Sequence, residues 1–559
     1  MTYAIQNTDN KKLLSALYFA GLVIMIVSIP LSKYMMSVSQ FMLSGVLILE
    51  HMSKERFIRF IKRYPFYISI FLIIPVFVSW VFRSLGLIMK KFFRKENLPA
   101  IVFMSLYILH ILGLVFTVDF DYALKDLRIK LPILVLPVIL TVGEAIDQKK
   151  FRILMLLFVA AVTISTFITT YILLTQDIDN LRDISIFISH IRFSLLIALA
   201  IFTLVFMSLR KEIPGKYTRL AFLLLALWLL FYMVISAFMT GLIVLVSAAF
   251  VVSIHYSLKK KNIYARMAFV TVSIAPIVIL VFFMGIITDV YKVQRVDFSN
   301  LDQMTKRGTF YWHDTTNLQT ENGHYVWIYI SIEEMREEWN KRSDLDFDGK
   351  DYKGQELKHT LIRYLTSRGL RKDAEGVQNL TSHDIKLIES GEASVHYHER
   401  SVFYIRLYKI IWEAQQYFRT GNPSGHSAMQ RIEYWKTSLL IIKQNPLFGV
   451  GTGDMNLAFE KQYEEMDSPL QPEFRWRSHN QFLSITVGFG LFGLLWFLFS
   501  LIYPPIRARR LNDYYYLAFF VILMVSMISE DTIETQAGVT FFAFFTSLFL
   551  FGKKDKHTF

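Results

Sequence analysis

The chain has 559 residues, 53% of them hydrophobic and 15% aromatic, with a formal charge of +14 and no cysteine. The lack of cysteine excludes disulfides, thiolate nucleophiles and Cys-ligated metals, and repeated apolar runs of about 18 residues or more exclude an ordinary soluble multidomain chain. The positive excess lies in short clusters between those runs, as the positive-inside rule requires, so it does not point to nucleic acid.

Basic clusters at 54–63, 90–95, 149–152, 210–219, 259–266, 507–510 and 553–556 are assigned to the cytoplasm. Between them, spans are predicted at 13–31, 35–50, 99–118, 131–146, 151–175, 190–209, 219–236, 238–257, 266–288, 481–503, 514–530 and 537–551. The first run has no small-residue cleavage site and reads as a retained span. The fold class is an all-α polytopic membrane protein of about 12 (12–14) transmembrane helices. The run 57–93, interrupted by Pro65 and Pro75, leaves the count open. Both termini fall inside, and 530–536, with no Lys or Arg, falls outside. The segment 119–130 (DFDYALKDLRIK) is charged yet falls on the outer side. It reads as an amphipathic surface helix ahead of Pro132, either snorkelling to the lipid head groups or supporting an anionic head group.

Residues 289–480 are polar and form a large outer loop, so the chain divides into an N-terminal transmembrane region (1–288), a mainly helical loop domain (289–480) and a C-terminal transmembrane region (481–559). Within the loop, Ser331 with Glu334 and Thr381 with Asp384 read as capping-box starts. Helical spacing covers 394–419 and 427–443, and Asn422, Pro423, Ser424 and Gly425 form the turn between them.

Three motifs carry chemistry. His479 and Asn480 stand where a polar stretch gives way to the apolar run 481–503, and Gly490-Leu-Phe-Gly493 follows. An imidazole there, with an ordinary pKa of about 6.5, is able to take a proton from a hydroxyl at the membrane border; the alternative is a histidine that only caps the loop. Gly490 and Gly493, three apart on one helix face, are expected to admit a second helix closely. Arg431 and Trp435 share a helix face at i,i+4. The guanidinium can hold two phosphate oxygens, or can make a cation–π pair with the indole. His190 and Arg192 open the span 190–209, and an arginine so placed faces a polar cavity or snorkels. All three motifs fall on the outer side. His479, Arg431 and Arg192 are therefore the candidate catalytic residues, with Asn480, Trp435 and His190 as substrate-binding neighbours and Gly490 and Gly493 as structural ones.

Other patterns carry less. Gly449, Gly451 and Gly453 resemble a phosphate loop, but they follow a helix and lack the Lys-Ser/Thr pair, so they read as a turn. Asp344, Asp346, Asp348 and Gly349 begin like a calcium loop, but Gln355 stands where a glutamate is needed. His396, His398 and Glu399 lack a third ligand at a telling spacing. No metal site and no cofactor are expected.

The pattern His479-Asn-x9-Gly-x-x-Gly493, with Arg431-x-x-x-Trp435 and Asn445-Pro-Leu-Phe-Gly-Val-Gly451, resembles the O-antigen ligase and O-antigen polymerase family. The likeness is best from Arg431 to about Phe499. It implies a glycosyltransferase of the bacterial inner membrane, without metal or cofactor, whose site faces the periplasm. Its partners would be glycan linked to undecaprenyl pyrophosphate, an acceptor hydroxyl such as that of lipid A–core, and membrane lipids, with no nucleic acid. By similarity His479 would be the base and Arg431 would bind pyrophosphate, with Arg192 matching the family's membrane-end arginine. A family Ser-Arg-Gly-like segment is not matched, since Ser236 to Gly241 contains no arginine. Ligase is favoured over polymerase or protein O-glycan ligase. The rival from another class is a lipid-linked glycan transporter or flippase, which would place ionisable groups near the midplane and show repeated halves.

Overall fold

The computed structural model describes residues 2–51, 66–176, 184–209, 215–260, 263–396 and 402–553. The chain is helical almost throughout. The order is α1 Thr2–Leu31, α2 Lys33–Glu50, α3 Phe66–Phe92, α4 Leu98–Leu112, α5 Phe120–Val142, α6 Gln148–Thr175, α7 His190–Leu209, α8 Lys216–Ile235, α9 Met239–Lys260 and α10 Ile263–Tyr291. After a two-stranded hairpin (β1 Thr320–Glu321, β2 His324–Tyr325) come α11 Ile332–Trp339, α12 Leu357–Ser367, α13 Ala374–Gln378, α14 Ser382–Glu389, α15 Val402–Thr420, α16 Ser427–Gln444, α17 Met455–Glu465, α18 Gln481–Arg507, α19 Tyr514–Ser529 and α20 Gln536–Ser547. Among the described residues, eight helices are long and apolar enough to cross a membrane, and two more, Tyr514–Ser529 and Gln536–Gly552, are apolar but shorter. The protein is a multi-pass membrane protein. Of the run 57–93, the described part is the single helix α3, which passes through Pro75.

Side chains just outside the helices fix where they begin. Ser32, Asp119, Asp147, Asp513 and Thr535 each accept a hydrogen bond from a backbone N–H of the first turn. Thr381 and Asp384 form the expected capping box. Ser331 does stand at an N-cap, but its side chain caps nothing. The Glu334 carboxylate is instead taken by the hydroxyls of Thr305 and Thr309 and the backbone N–H of Ala374.

The chain divides into two compact units, 1–273 with 423–559, and 274–422. In the first, α5 packs on α4 and α20, α18 on α4 and α16, and α19 on α7 and α9. Its core is continuous and aromatic, running through Phe103, Phe158, Phe519, Phe542 and Phe545. The stretch 423–480, expected within the loop domain, clusters with the transmembrane helices. The second unit has its own core around Trp339, Phe347, Leu361 and Tyr364.

One expectation is overturned. The segment 119–130 is not a separate surface helix, since it is the first half of α5, which runs on through Pro132. Asp121, Lys125 and Arg128 are exposed, but Asp126 is 5% and Lys130 1% exposed. Asp126 and Lys130 turn inward because each finds an opposite charge there.

The second unit also buries a lysine. Lys372 is 3% exposed, and its Nζ donates to the Tyr325 carbonyl at 3.1 Å. Burial pushes its ammonium down to about 7, with Asp373 opposing only in part. An unfolded lysine, at about 10.4, keeps its proton through the window in which the folded one has lost it. Stability therefore rises with pH between about 7 and 10. We expect the melting temperature of this unit, followed by tryptophan fluorescence of the detergent-solubilised chain, to rise across that window. Lys372→Met should flatten the rise.

Candidate active site

The segment 475–480 leads directly into α18. Asn480 caps that helix: its Oδ1 accepts from the Leu483 N–H at 3.1 Å and its Nδ2 donates to the Ile528 carbonyl at 2.8 Å. His479, one residue earlier, has φ +45°, a left-handed backbone that non-glycine residues seldom adopt and that collects at functional sites. Ser478 holds the turn. Its hydroxyl meets Ser484 Oγ and Asp531 Oδ1, and its carbonyl accepts from the Trp435 indole at 3.1 Å.

This turn carries the imidazole to Glu530, with Nδ1 3.7 Å from Oε2, while the ring stacks on Tyr434 at 5.5 Å. Glu530 Oε1 accepts from Arg431 Nη2 at 2.9 Å. Arg192 is anchored next door, donating to Ser189 Oγ at 2.9 Å and to the Asp531 carbonyl at 3.3 Å. Arg431 and His479 thus meet at one carboxylate, which is 4% exposed, and Arg192 acts on it electrostatically from the neighbouring backbone. The Nε atoms of Arg192 and Arg431 are buried with no partner among the described residues, so both guanidiniums keep a free donor. Burial would raise the Glu530 carboxyl, but His479, Arg431 and Arg192 outweigh it and hold Glu530 below the usual range. Asp531 goes the other way, pushed up by burial that Arg477 offsets only in part.

Sequence reasoning missed a second set of charges behind these. Glu534 is buried and accepts from Lys130 Nζ at 2.8 Å and from Gln481 Nε2 at 3.1 Å, with Arg477 Nη1 at 3.5 Å. Lys130 also pairs with Asp126, which lies 3.5 Å from His110 Nδ1. The available signals were Asp126 and Lys130 at i,i+4 and three carboxyls packed into 530–534 between two apolar helices. Of the remaining expected residues, Trp435 is 37% exposed, and the His190 ring lies 6.2 Å from Phe238.

Gly490 and Gly493 do not form a helix-packing face. At Gly490 (φ +63°, ψ −164°) the helix α18 is broken. The loop after α16 docks into the break: Val450 and Gly451 donate to the carbonyls of Val487 and Gly488 at 3.0 and 2.9 Å, and the N–H groups of Leu491 and Phe492 donate to Pro446 and Leu447 at 2.8 and 3.2 Å. A Cβ on Gly490 would lie 2.2 Å from the Leu447 carbonyl carbon, and one on Gly493 would lie 2.1 Å from Phe489 Cβ. The run of Gly449, Gly451 and Gly453 is the turn it was expected to be. Its downstream Asp454 accepts from the N–H groups of Val118 and Asp119 at 2.8–3.0 Å. The calcium-like loop has its Asp348 taken by Arg336 at 2.7 Å. Among the described residues, no three His, Asp or Glu are placed to hold a metal ion. His398 and Glu399 lie outside those residues.

With this geometry in place, a family model described as O-antigen ligase matches residues 395–498, a stretch that includes Arg431, His479 and the Gly490 break. Through that segment the chain is similar to the O-antigen ligase family. No curated protein matches it. Arg192 and Glu530 come from outside the matched stretch, so the cluster is assembled from three separate parts of the sequence.

Two consequences are measurable. Gly490→Ala should reduce the yield of folded protein and release the 445–454 loop to limited proteolysis, whereas Leu491→Ala, on the exposed side of the same helix, should not. Lys130→Met removes the cation that pairs with the buried Asp126 and leaves Glu534 with Arg477 alone, and should destabilise the chain by about 3–5 kcal/mol in thermal unfolding.

Proposed function

We propose that this chain transfers glycan from an undecaprenyl-pyrophosphate carrier to an acceptor hydroxyl, that of lipid A–core, at the periplasmic face of the bacterial inner membrane. The reading includes about 12 spans with both termini inside and the outward loop carrying the motifs. The observation that supports it is the gathering of Arg192, Arg431 and His479 near Glu530, with the buried Nε atoms of both arginines unpartnered among the described residues.

The chemistry follows from the groups. Pyrophosphate is a competent leaving group, so the protein's tasks are positioning, proton removal and charge stabilisation. His479 takes the acceptor proton as the new C–O bond forms at the anomeric carbon. The bond to the carrier diphosphate breaks on the opposite face, which inverts the configuration. Arg431 and Arg192 offset the charge growing on the departing diphosphate, and no metal is needed for the step as written. The exposed edge of Trp435, with His190, lines the approach of the sugar, while Asn480 acts through the helix cap that sets the His479 backbone.

The test is transfer by purified protein in nanodiscs, supplied with lipid-linked glycan and acceptor. His479→Ala should remain folded and lose about 10²–10⁴-fold in rate. Arg431→Lys, which keeps the charge but loses the fork, should raise the KM for the lipid-linked donor. A His479→Ala protein with near wild-type turnover would overturn the reading.

A further inference from the structure

Residues 302–330 fold within the second unit and lie outside the stretch matched to the O-antigen ligase family. A tight turn at 305–309 brings Phe310 opposite Met304, and the chain runs on extended, with Trp312 paired to Ile330 by hydrogen bonds of 2.8 and 3.1 Å. Side chains alternate along such a segment. Tyr311 turns inward, and its hydroxyl donates to the Asp373 carboxylate. Phe310 and Trp312 therefore share the outer face, 72% and 54% exposed, with Cα atoms roughly 7 Å apart. Trp327 stands edge-on to Trp312, with ring centres 6.5 Å apart, and its indole N–H donates to Gln319 Oε1 at 2.9 Å.

Polar groups with capacity to spare edge this strip. Asp314 Oδ1 accepts from the N–H groups of Thr316 and Asn317, and Asn317 Oδ1 accepts from the Gln319 N–H and from Arg419. Asp314 Oδ2, Asn317 Nδ2 and Gln319 Nε2 have no partner among the described residues. The cations beside the strand are already taken: Lys306 by Glu375 and Arg307 by Glu338, each at 2.8 Å, and Arg371, over the Tyr311 ring, by Asp302. A phosphate-bearing head group calls for cations with donors to give, and an acyl surface has no use for a fringe of amides. Flat aromatic faces beside unspent amide and carboxylate groups suit a ligand that is flat-faced, uncharged and rich in hydroxyls. A sugar ring has this chemistry, with a C–H face to lay on an indole and hydroxyls at its rim.

We propose that Phe310, Trp312 and Trp327, with Asp314, Asn317 and Gln319 along their edge, form a non-catalytic subsite for an uncharged stretch of the glycan on the lipid-linked donor. The inference rests on the transfer reading above for the identity of that glycan, and on the chemistry of the strip for its class. Contacts of this kind hold the donor by its sugars, away from its diphosphate. Their contribution adds to that of the arginines and grows with the number of rings the chain offers.

The test uses the full chain in nanodiscs and, as probe, the host bacterium's surface glycan released by mild acid, so that it carries neither lipid nor diphosphate. Nitrogen-15 NMR of tryptophan-labelled protein reads the indole N–H groups, the Trp312 signal being the one lost in Trp312→Phe. That signal should shift saturably as glycan is added. By calorimetry, Trp312→Ala should weaken glycan binding about tenfold, while Trp312→Phe, which keeps an aromatic face, stays within about threefold of wild type. The portion of the fluorescence lost in Trp312→Phe should be indifferent to brominated phosphatidylcholine in the disc. Quenching of that portion would seat the strip in the membrane and overturn the proposal. A Trp312 signal unmoved by the glycan, or a Trp312→Ala protein with wild-type affinity, overturns it as well. Should Trp312→Ala fail to fold, the wild-type NMR titration decides alone. A His479→Ala protein with full turnover would remove the base from the reaction while leaving glycan binding standing, so the two failures are distinguishable.

Discussion

Four cations, Lys130, Arg192, Arg431 and Arg477, gather at one end of an apolar helix bundle, where any of them alone would be costly to desolvate. The residues that make this tolerable are three acids in a single short connection, Glu530, Asp531 and Glu534, between α19 and α20. Glu530 serves Arg431 and faces His479, Glu534 serves Lys130 and Arg477, and Asp531 binds the serines that shape the turn before α18. Helices from opposite ends of the sequence are thereby drawn to one point. The cations keep these acids only while the connection stays in place, and the Nε atoms of Arg192 and Arg431 have no partner among the described residues.

The second constraint is backbone, not charge. A helix broken inside an apolar bundle exposes carbonyl and N–H groups that must find partners within the protein. At Gly490 those partners come from the loop after α16, so the element carrying Arg431 and the element following His479 are joined by main-chain hydrogen bonds. Glycine is required at the break because the positive φ and the nearness of Leu447 leave no room for a side chain.

Much of this was legible in the sequence, for identifiable reasons. Helices show through apolar length and periodicity, and the observed ends of α6, α7, α16 and α18 lie within a few residues of those expected. Arg192, Arg431 and His479 stood out because a charge or an imidazole at the edge of an apolar run requires explanation. Glu530 and Glu534 were read only as markers of sidedness, since an acid in a short loop is unremarkable until the cations it must meet are located. Lys130 and Asp126 were misread because Pro132 suggested a helix end, whereas α5 absorbs the proline and turns the pair inward. The Gly490–Gly493 spacing pointed to helix packing because one spacing serves both a close crossing and a break, and only the φ value separates the two.

The docking of the loop across the Gly490 break has a further consequence for how this segment tolerates change. Because residues 446–451 are bonded on both sides of the discontinuity, α16 and α18 share one register, much as two strands do. A single-residue insertion or deletion between 445 and 454 would offset that register by a full peptide unit. It would slide one helix along the other without altering the identity of any charged residue. Length in this stretch is thus as fixed as composition, while residues 274–422, folded around a core of their own, are free of that requirement.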